Sequence, residues 1–299
     1  MKKIGAALLL IITTMFWGVT FTVVKEAVAQ VDVFVFLAQR FTLATALMIV
    51  PGLFWRGKPS LSTCRAGLAL GIALFASYAF QTAALLYTSA SNTGFLTGLN
   101  VVFVPILGAL AFRLSVPRSA IWGVCLSAAG LYLLCTGGTL AINRGDLLGL
   151  ACAVCTALHI LLTGRFAPRH DVYWLTTIQL GFIAIASSAG ALLSGQTVMV
   201  YYPVLLWPLL VCALFASIFA FLVQTAMQRH ISPANTALIF CLEPVFAAAY
   251  AYLAAGERLT AIGWFGAVLI LAGMLIAELL PEPATGNREP INSAATAGS

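Results

Sequence analysis

Three ionisable residues of this sequence stand inside long apolar runs: Arg40, His159 and Glu243, the last followed at once by Pro244. A charge removed from water is costly unless it pairs, lines a wet cavity, binds a ligand or is neutralised by a proton. Glu243 lies about ten residues into its run, or about 15 Å at 1.5 Å per residue, which is too deep for a short carboxylate to reach the end of the run. These residues are therefore the first candidates for function.

Each of the three also has a structural interpretation. Pro244 lacks an N–H and distorts a helix, so Glu243 could bond the backbone that it frees, and this role can coexist with a functional one. Arg40 either binds a substrate or acts in structure or gating, paired with a carboxylate or with helix-end carbonyls. His159 is either a buried residue with satisfied hydrogen bonds or a proton carrier, since an imidazole titrates near neutral pH.

A second set of polar and amphipathic side chains falls in the same kind of run. Tyr78 and Gln81 are three residues apart and share one helix face. Trp17 lies in the middle of its run, whereas the other tryptophans stand near the ends. Asn100 and Gln179 are also deep. Phenol, indole and amide groups together predict an amphipathic pocket suited to a zwitterion with an apolar or aromatic side chain.

The composition identifies the solvent of these runs. Of 299 residues, 62% are hydrophobic and 8% are charged, against about 25% charged in soluble domains. The bilayer is the solvent that fits, and a span needs about 20 apolar residues. The predicted fold class is an all-α integral membrane protein with ten transmembrane helices. Their approximate ranges are 4–24, 33–54, 66–87, 91–113, 118–137, 146–165, 172–193, 203–228, 233–255 and 260–279.

Charge asymmetry predicts the orientation in the inner (plasma) membrane, because cytoplasmic loops carry an excess of Lys and Arg. With the N-terminus in the cytoplasm, eleven basic residues lie inside: Lys2, Lys3, Arg56, Lys58, Arg65, Arg113, Arg118, Arg165, Arg169, Arg229 and Arg288. Three lie outside, namely Lys25, Arg144 and Arg258, and Arg40 is within a span. Both termini are thus expected in the cytoplasm, with 281–299 as a disordered tail.

The two halves of the sequence are related by an internal repeat. A shift of 143 places Asn92-Thr93 on Asn235-Thr236, Asn100 on Glu243, Gly123 on Gly266 and Gly130 on Gly273, and a shift near 139 places Arg40 on Gln179. Five helices per half is an odd number, so the second half enters the membrane from the opposite side. The prediction is an inverted repeat of 1–140 and 141–280, typical of secondary transporters with a midplane site between the repeats.

Several motifs resemble those of the drug/metabolite transporter superfamily, in its EamA branch. They are Phe16-Trp17-Gly18, Gln39-Arg40-Phe41, Asn92-Thr93, and Glu243-Pro244 with Gly256-Glu257-Arg258. The resemblance covers about 4–280. It implies export of small metabolites, often amino acids and aromatic ones among them, by alternating access, with both termini cytoplasmic.

Other function classes find little support in the sequence. It has no HExxH, P-loop or GxSxG motif, and its scattered basic residues form no arm for nucleic acid. We predict no enzyme activity, no cofactor and no metal. The expected partners are a small-molecule substrate and the bilayer, with protons as a candidate coupling ion and a monomer as the functional unit. A passive channel or facilitator and an exporter of drugs or other metabolites remain alternatives.

Overall fold

A computed structural model gives the fold, and it describes residues 3–87, 90–136, 144–199, 201, 203–255 and 260–279. Helices make up the regular structure of these residues. The first half contains α1 (Lys3–Val28), α2 (Val33–Trp55), α3 (Leu61–Ala84), α4 (Ala90–Gly98), α5 (Asn100–Phe112) and α6 (Arg118–Thr136). The second half contains α7 (Arg144–Phe166), α8 (Val172–Leu193), α9 (Pro203–Ala213), a π-helical turn (Leu214–Phe219), α10 (Ala220–Met227), α11 (Pro233–Phe240), α12 (Glu243–Ala255) and α13 (Ala261–Leu279).

Seven helical segments are long and apolar enough to cross a membrane: Lys3–Val28, Val33–Trp55, Leu61–Ala84, Thr93–Phe112, Arg144–Arg169, Val172–Leu193 and Pro203–Met227. The chain is accordingly an all-helical, multi-pass membrane protein. Helices occupy all ten predicted segments, three of them in separate parts, but ten crossings in two inverted repeats stay a prediction. The repeat boundary at 140/141, the motif Gly256-Glu257-Arg258 and the tail 281–299 lie outside the described residues.

Two helices are interrupted at positions that the repeat relates. Leu99 separates α4 from α5, and Cys241 and Leu242 separate α11 from α12. Pro244 contributes to the second break because it has no N–H to offer the carbonyl of the preceding turn. Leu242 follows Leu99 by the shift of 143, so the shorter helices α5 and α12 begin at Asn100 and Glu243 respectively.

Helices α6 and α13 approach each other closely through two pairs of glycines. A Cβ atom on Gly123 would lie 2.7 Å from the carbonyl oxygen of Gly273, and one on Gly130 would lie 2.5 Å from that of Gly266. Small residues permit such backbone contact between membrane helices. By the shift of 143, Gly266 is the repeat equivalent of Gly123, and Gly273 is the equivalent of Gly130. Each contact is therefore the repeat equivalent of the other, which is the reciprocal form expected of a two-fold relation.

Two further contacts bring the elements around the polar residues together. Helix α2 packs on α8 through a buried apolar cluster that includes Leu37, Phe41 and Leu180. Helix α1 meets α12 at Gly18, where an added Cβ would lie 2.6 Å from the carbonyl oxygen of Glu243. The absence of a side chain at Gly18 thus allows α1 to lie directly against the helix break.

Candidate functional site

A polar cavity lies among α1, α2, α3, α5, α7, α10, α11 and α12. Its volume is about 100 Å³. The wall combines charged, amide and hydroxyl groups with aromatic rings. The residues that line it are Trp17, Thr20, Val24, Leu37, Arg40, Leu74, Ser77, Tyr78, Gln81, Thr82, Leu85, Asn100, Thr156, His159, Ile160, Phe221, Gln224, Phe240 and Glu243.

The structure brings most of the candidate residues to this one cavity. Seven of them line it: Trp17, Arg40, Tyr78, Gln81, Asn100, His159 and Glu243. Gln179 lies behind the wall, with Oε1 2.8 Å from Nε2 of His159, and Pro244 does not line the cavity but follows Glu243 in the first turn of α12. Whether these residues bind a substrate stays a prediction.

Arg40 is held by the π-helical turn of the second half. Its Nε donates to Oγ of Ser217 at 2.9 Å, and its Nη2 donates to the carbonyl oxygen of Ala216 at 3.1 Å. The same carbonyl accepts a bond of 3.0 Å from Nε1 of Trp17. A π turn shifts the backbone pairing from i+4 to i+5, and such turns are frequent at functional sites. Arg40 therefore takes a carbonyl and a hydroxyl as partners, in place of a carboxylate.

Aromatic rings complete the surroundings of Arg40. Its guanidinium carbon lies 5.0 Å from the ring centre of Phe41 and 5.2 Å from that of Tyr78, within cation–π range. The Tyr78 hydroxyl is 3.4 Å from Nη2, a long contact. Arg40 is 3% exposed, and no described carboxylate lies within 4.0 Å of it. A nearly buried cation at the cavity wall thus lacks a counter-ion among the described residues.

Glu243 is the carboxylate of the same cavity. It opens α12 at the helix break and is half-buried. Among the described residues its side chain has neither a hydrogen bond nor an ion pair, including with the backbone that Pro244 frees. The cavity therefore carries one positive and one negative group that do not pair with each other.

His159 also has its hydrogen-bond partner within the protein. Besides its contact with Gln179, its ring lies edge-on to Phe221 with ring centres 6.0 Å apart. Next to it along α7, the hydroxyl of Thr156 lies 2.6 Å from that of Ser77. This arrangement matches the structural interpretation of His159 while leaving its ring on the cavity wall.

Sequence reasoning missed the contribution of α10 and α11 to the wall. Phe240 meets Trp17 edge-on with ring centres 4.9 Å apart, and Phe221 meets Trp17 at 5.5 Å, so three rings form an apolar side. Gln224 lies one turn beyond Phe221 on α10 and is 1% exposed. The sequence signal for Gln224 was an amide side chain inside the apolar run 203–228. Phe221 and Phe240 gave no such signal, because phenylalanine is common in any membrane span.

The two ends of the bundle differ. Where α2 ends and α8 begins, Arg56 forms a 3.0 Å ion pair with Asp171, and the Tyr173 hydroxyl donates to the carbonyl of Met48 at 2.6 Å. Arg229 adds a 2.7 Å bond to the carbonyl of Ala167 at this end. The cavity instead extends toward the opposite end, along residues 17–24 of α1 and 81–85 of α3. Polar contacts thus join α2, α8 and the segment at Ala167 at the end from which the cavity points away.

A cavity with charged and amide groups among apolar helices, with interrupted helices at its wall, defines the class as a polytopic membrane transport protein. The chain belongs to the EamA-like transporter family, whose model matches residues 4–136 and again residues 143–279.

Relatives span nearly the whole chain. A protein of Archaeoglobus fulgidus described as an uncharacterized transporter is 33% identical over 279 residues, which are 93% of this chain and 87% of the relative. A protein of Salmonella typhimurium described as a probable amino-acid metabolite efflux pump is 26% identical over 293 residues, 92% of this chain and 94% of that one. A solved crystal structure with 18% identity superposes with a TM-score of 0.76, covering 93% of this chain and 98% of its own, so the fold is shared.

Proposed function

We propose that the chain is a secondary transporter that exports small zwitterionic metabolites, amino acids foremost, by alternating access. The observation that carries this proposal is the pair of uncompensated charges in one cavity, Arg40 on α2 and Glu243 on α12. A substrate carboxylate would bind the guanidinium through charge-assisted hydrogen bonds, and its ammonium would bind the carboxylate.

Electrostatics favours a zwitterion over a neutral or singly charged ligand. Each isolated charge in a poorly solvated site carries a desolvation cost of several kcal/mol in general, which an opposite charge offsets. A neutral ligand would expel water and leave both groups unpaired, and a ligand of one sign would satisfy only one of them. The ring wall of Trp17, Phe221 and Phe240 would then receive the substrate's side chain.

Alternating access rests on the two-fold relation between the halves. The twice-matching family model, the reciprocal glycine contacts of α6 and α13 and the related helix breaks all support repeats at 1–140 and 141–280. In transporters of this design, one repeat rocks against the other around a midplane site. The charge distribution supports cytoplasmic termini in the plasma membrane, and the name of the Salmonella typhimurium relative supports export of amino acids.

Flux into proteoliposomes tests the proposal against a passive channel. The purified protein is reconstituted into liposomes, and the proteoliposomes are loaded with one unlabelled amino acid. Uptake of a panel of labelled amino acids is then measured with and without a pH gradient. A transporter gives saturable uptake accelerated by internal substrate, and a response to the pH gradient would identify protons as the coupling ion. Uptake that rises linearly with concentration and ignores internal substrate would indicate a channel instead.

The variant Glu243→Gln tests the charge that would hold the ammonium. Glutamine keeps the size and loses the charge, so a hydrogen bond to a charged group, worth about 1.5–3 kcal/mol, is weakened and uptake falls roughly tenfold to a hundredfold. Glu26→Gln at the exposed end of α1 serves as the matched control and should leave uptake unchanged. Near-normal uptake by a Glu243→Gln protein present at normal membrane level would contradict the role.

A further inference from the structure

The side-chain amide of Gln224 has an orientation that the backbone fixes. Gln228 donates from Nε2 to the carbonyl oxygen of Ile160 at 2.9 Å, and a carbonyl can only accept. Gln228 must therefore present Oε1 on its other side, where it accepts from Nε2 of Gln224 at 3.0 Å. The two glutamines thus form a chain of amides from Gln224 through Gln228 to Ile160. The oxygen of the Gln224 amide lies at the end of this chain and takes no part in its hydrogen bonds.

That oxygen has no partner within the described part of the protein. Oε1 of Gln224 is buried and without a hydrogen bond, although the residue lines the cavity. A buried acceptor left unpaired costs roughly 1–3 kcal/mol, so proteins rarely retain one without a reason. The chain of amides orients this acceptor and offers it no donor from the described part of the protein, which points to a donor on a ligand in the cavity that Gln224 lines.

The position of Gln224 indicates which part of a ligand would reach it. It follows Ala216, the residue that holds Arg40, by eight residues, or about 12 Å along the helix axis at 1.5 Å per residue. Phe221 and its ring contact with Trp17 lie between the two. A substrate whose carboxylate is at Arg40 would thus lay its side chain along the rings and direct the far end toward Gln224.

We propose that Gln224 determines specificity by accepting a hydrogen bond from a donor at the far end of the substrate's side chain. This inference rests on the proposed function and names its substrate class: amino acids with a distal N–H or O–H donor, such as glutamine or tyrosine. Sites built to bond such a group discriminate strongly against analogues that lack it, because the buried partner is left unpaired.

Matched ligand pairs test this inference without transport. Binding is measured from the rise in thermal stability of the detergent-solubilised protein at increasing ligand concentration. Glutamine is compared with methionine, and tyrosine with phenylalanine, since each pair has similar shape and differs in the distal donor. Glutamate is added because its distal oxygens only accept. We expect the donor-bearing member to bind about tenfold tighter or more, and glutamate to bind more weakly than glutamine.

Variants assign the preference to one residue. Gln224→Met removes the acceptor at similar size and should equalise each pair, whereas Gln196→Met, in the exposed loop after α8, should retain the preference. Gln228→Met frees the Gln224 amide to rotate and should reduce the preference in part. Should Gln224→Met fail to fold, the wild-type comparison and Gln228→Met decide the question.

The outcomes separate this inference from the proposed function. Equal binding of both members of each pair by the wild type, or a preference that persists in folded Gln224→Met, overturns the role of Gln224 even if amino acids are transported. A donor preference in detergent without saturable uptake in proteoliposomes overturns the transport mechanism and leaves the role of Gln224 standing. Binding of no amino acid overturns both.

Discussion

Replacing Arg40 by methionine is expected to remove substrate binding while leaving the helical bundle folded. The side chain makes two hydrogen bonds with good geometry, to Ser217 and to the carbonyl of Ala216. Bonds from a charged group are worth about 1.5–3 kcal/mol each, but desolvation of the buried cation costs several kcal/mol, and methionine removes both contributions. Since the Ala216 carbonyl keeps its bond from Trp17, we expect the free energy of unfolding to change by no more than about 2 kcal/mol.

The effect on substrate affinity should be much larger. Truncating one partner of a desolvated charge pair costs about 2–5 kcal/mol, which is roughly a 30-fold to several-thousand-fold loss of affinity. Arg40→Lys should give an intermediate loss, because an ammonium keeps the charge but lacks the fork of donors that bonds Ser217, Ala216 and a carboxylate together.

The assay combines thermal unfolding in detergent, with and without substrate, and saturable uptake in proteoliposomes. Arg56→Met is the matched control, since it removes an arginine from the exposed ion pair with Asp171, worth at most about 1 kcal/mol. The reasoning fails if folded Arg40→Met takes up substrate with an unchanged KM. It fails also if Arg40→Met unfolds readily while Arg40→Lys behaves as wild type, because Arg40 would then act in structure alone.

Two further substitutions, one of them with a matched glycine control, test the packing around the cavity. Gly18→Ala should destabilise the protein by about 1–3 kcal/mol, because the new Cβ would lie 2.6 Å from the carbonyl of Glu243, a backbone atom that cannot move aside. Gly94→Ala, where no described residue lies within 4 Å of the added Cβ, should be neutral or stabilising in the same thermal unfolding assay. Equal effects of the two substitutions would contradict the close contact of α1 and α12. Trp17→Phe keeps an aromatic ring but loses the 3.0 Å bond to Ala216, so we expect the KM for uptake to rise up to about fivefold. A rise in KM of several hundredfold would indicate that the indole contacts substrate directly.

Hydropathy in the sequence was sufficient to predict where the described helices lie, and the cost of burying charge singled out two candidate residues. Apolar runs of about 20 residues have one stable structure in a bilayer, because every backbone polar group must bond within its own segment. The cost of burial singled out Arg40 and Glu243 for the same reason, and the shift of 143 related Glu243 to Asn100 before any contact was known. These properties are local or periodic, and so they can be calculated from the order of the residues alone.

The tertiary structure decided which of these residues meet and which atoms stay unpaired. Arg40 donates hydrogen bonds to Ala216 and Ser217, some 176 residues away, and both partners lie in a π turn that no sequence motif predicted. The free oxygen of Gln224 depends on a chain of amides that ends at the carbonyl of Ile160, on another helix. Hydropathy is a sum over a short segment, whereas a hydrogen bond requires two atoms within about 3 Å at a favourable angle. That distance is set by the packing of many helices together, and this packing determines which charged and polar groups of the cavity stay unpaired.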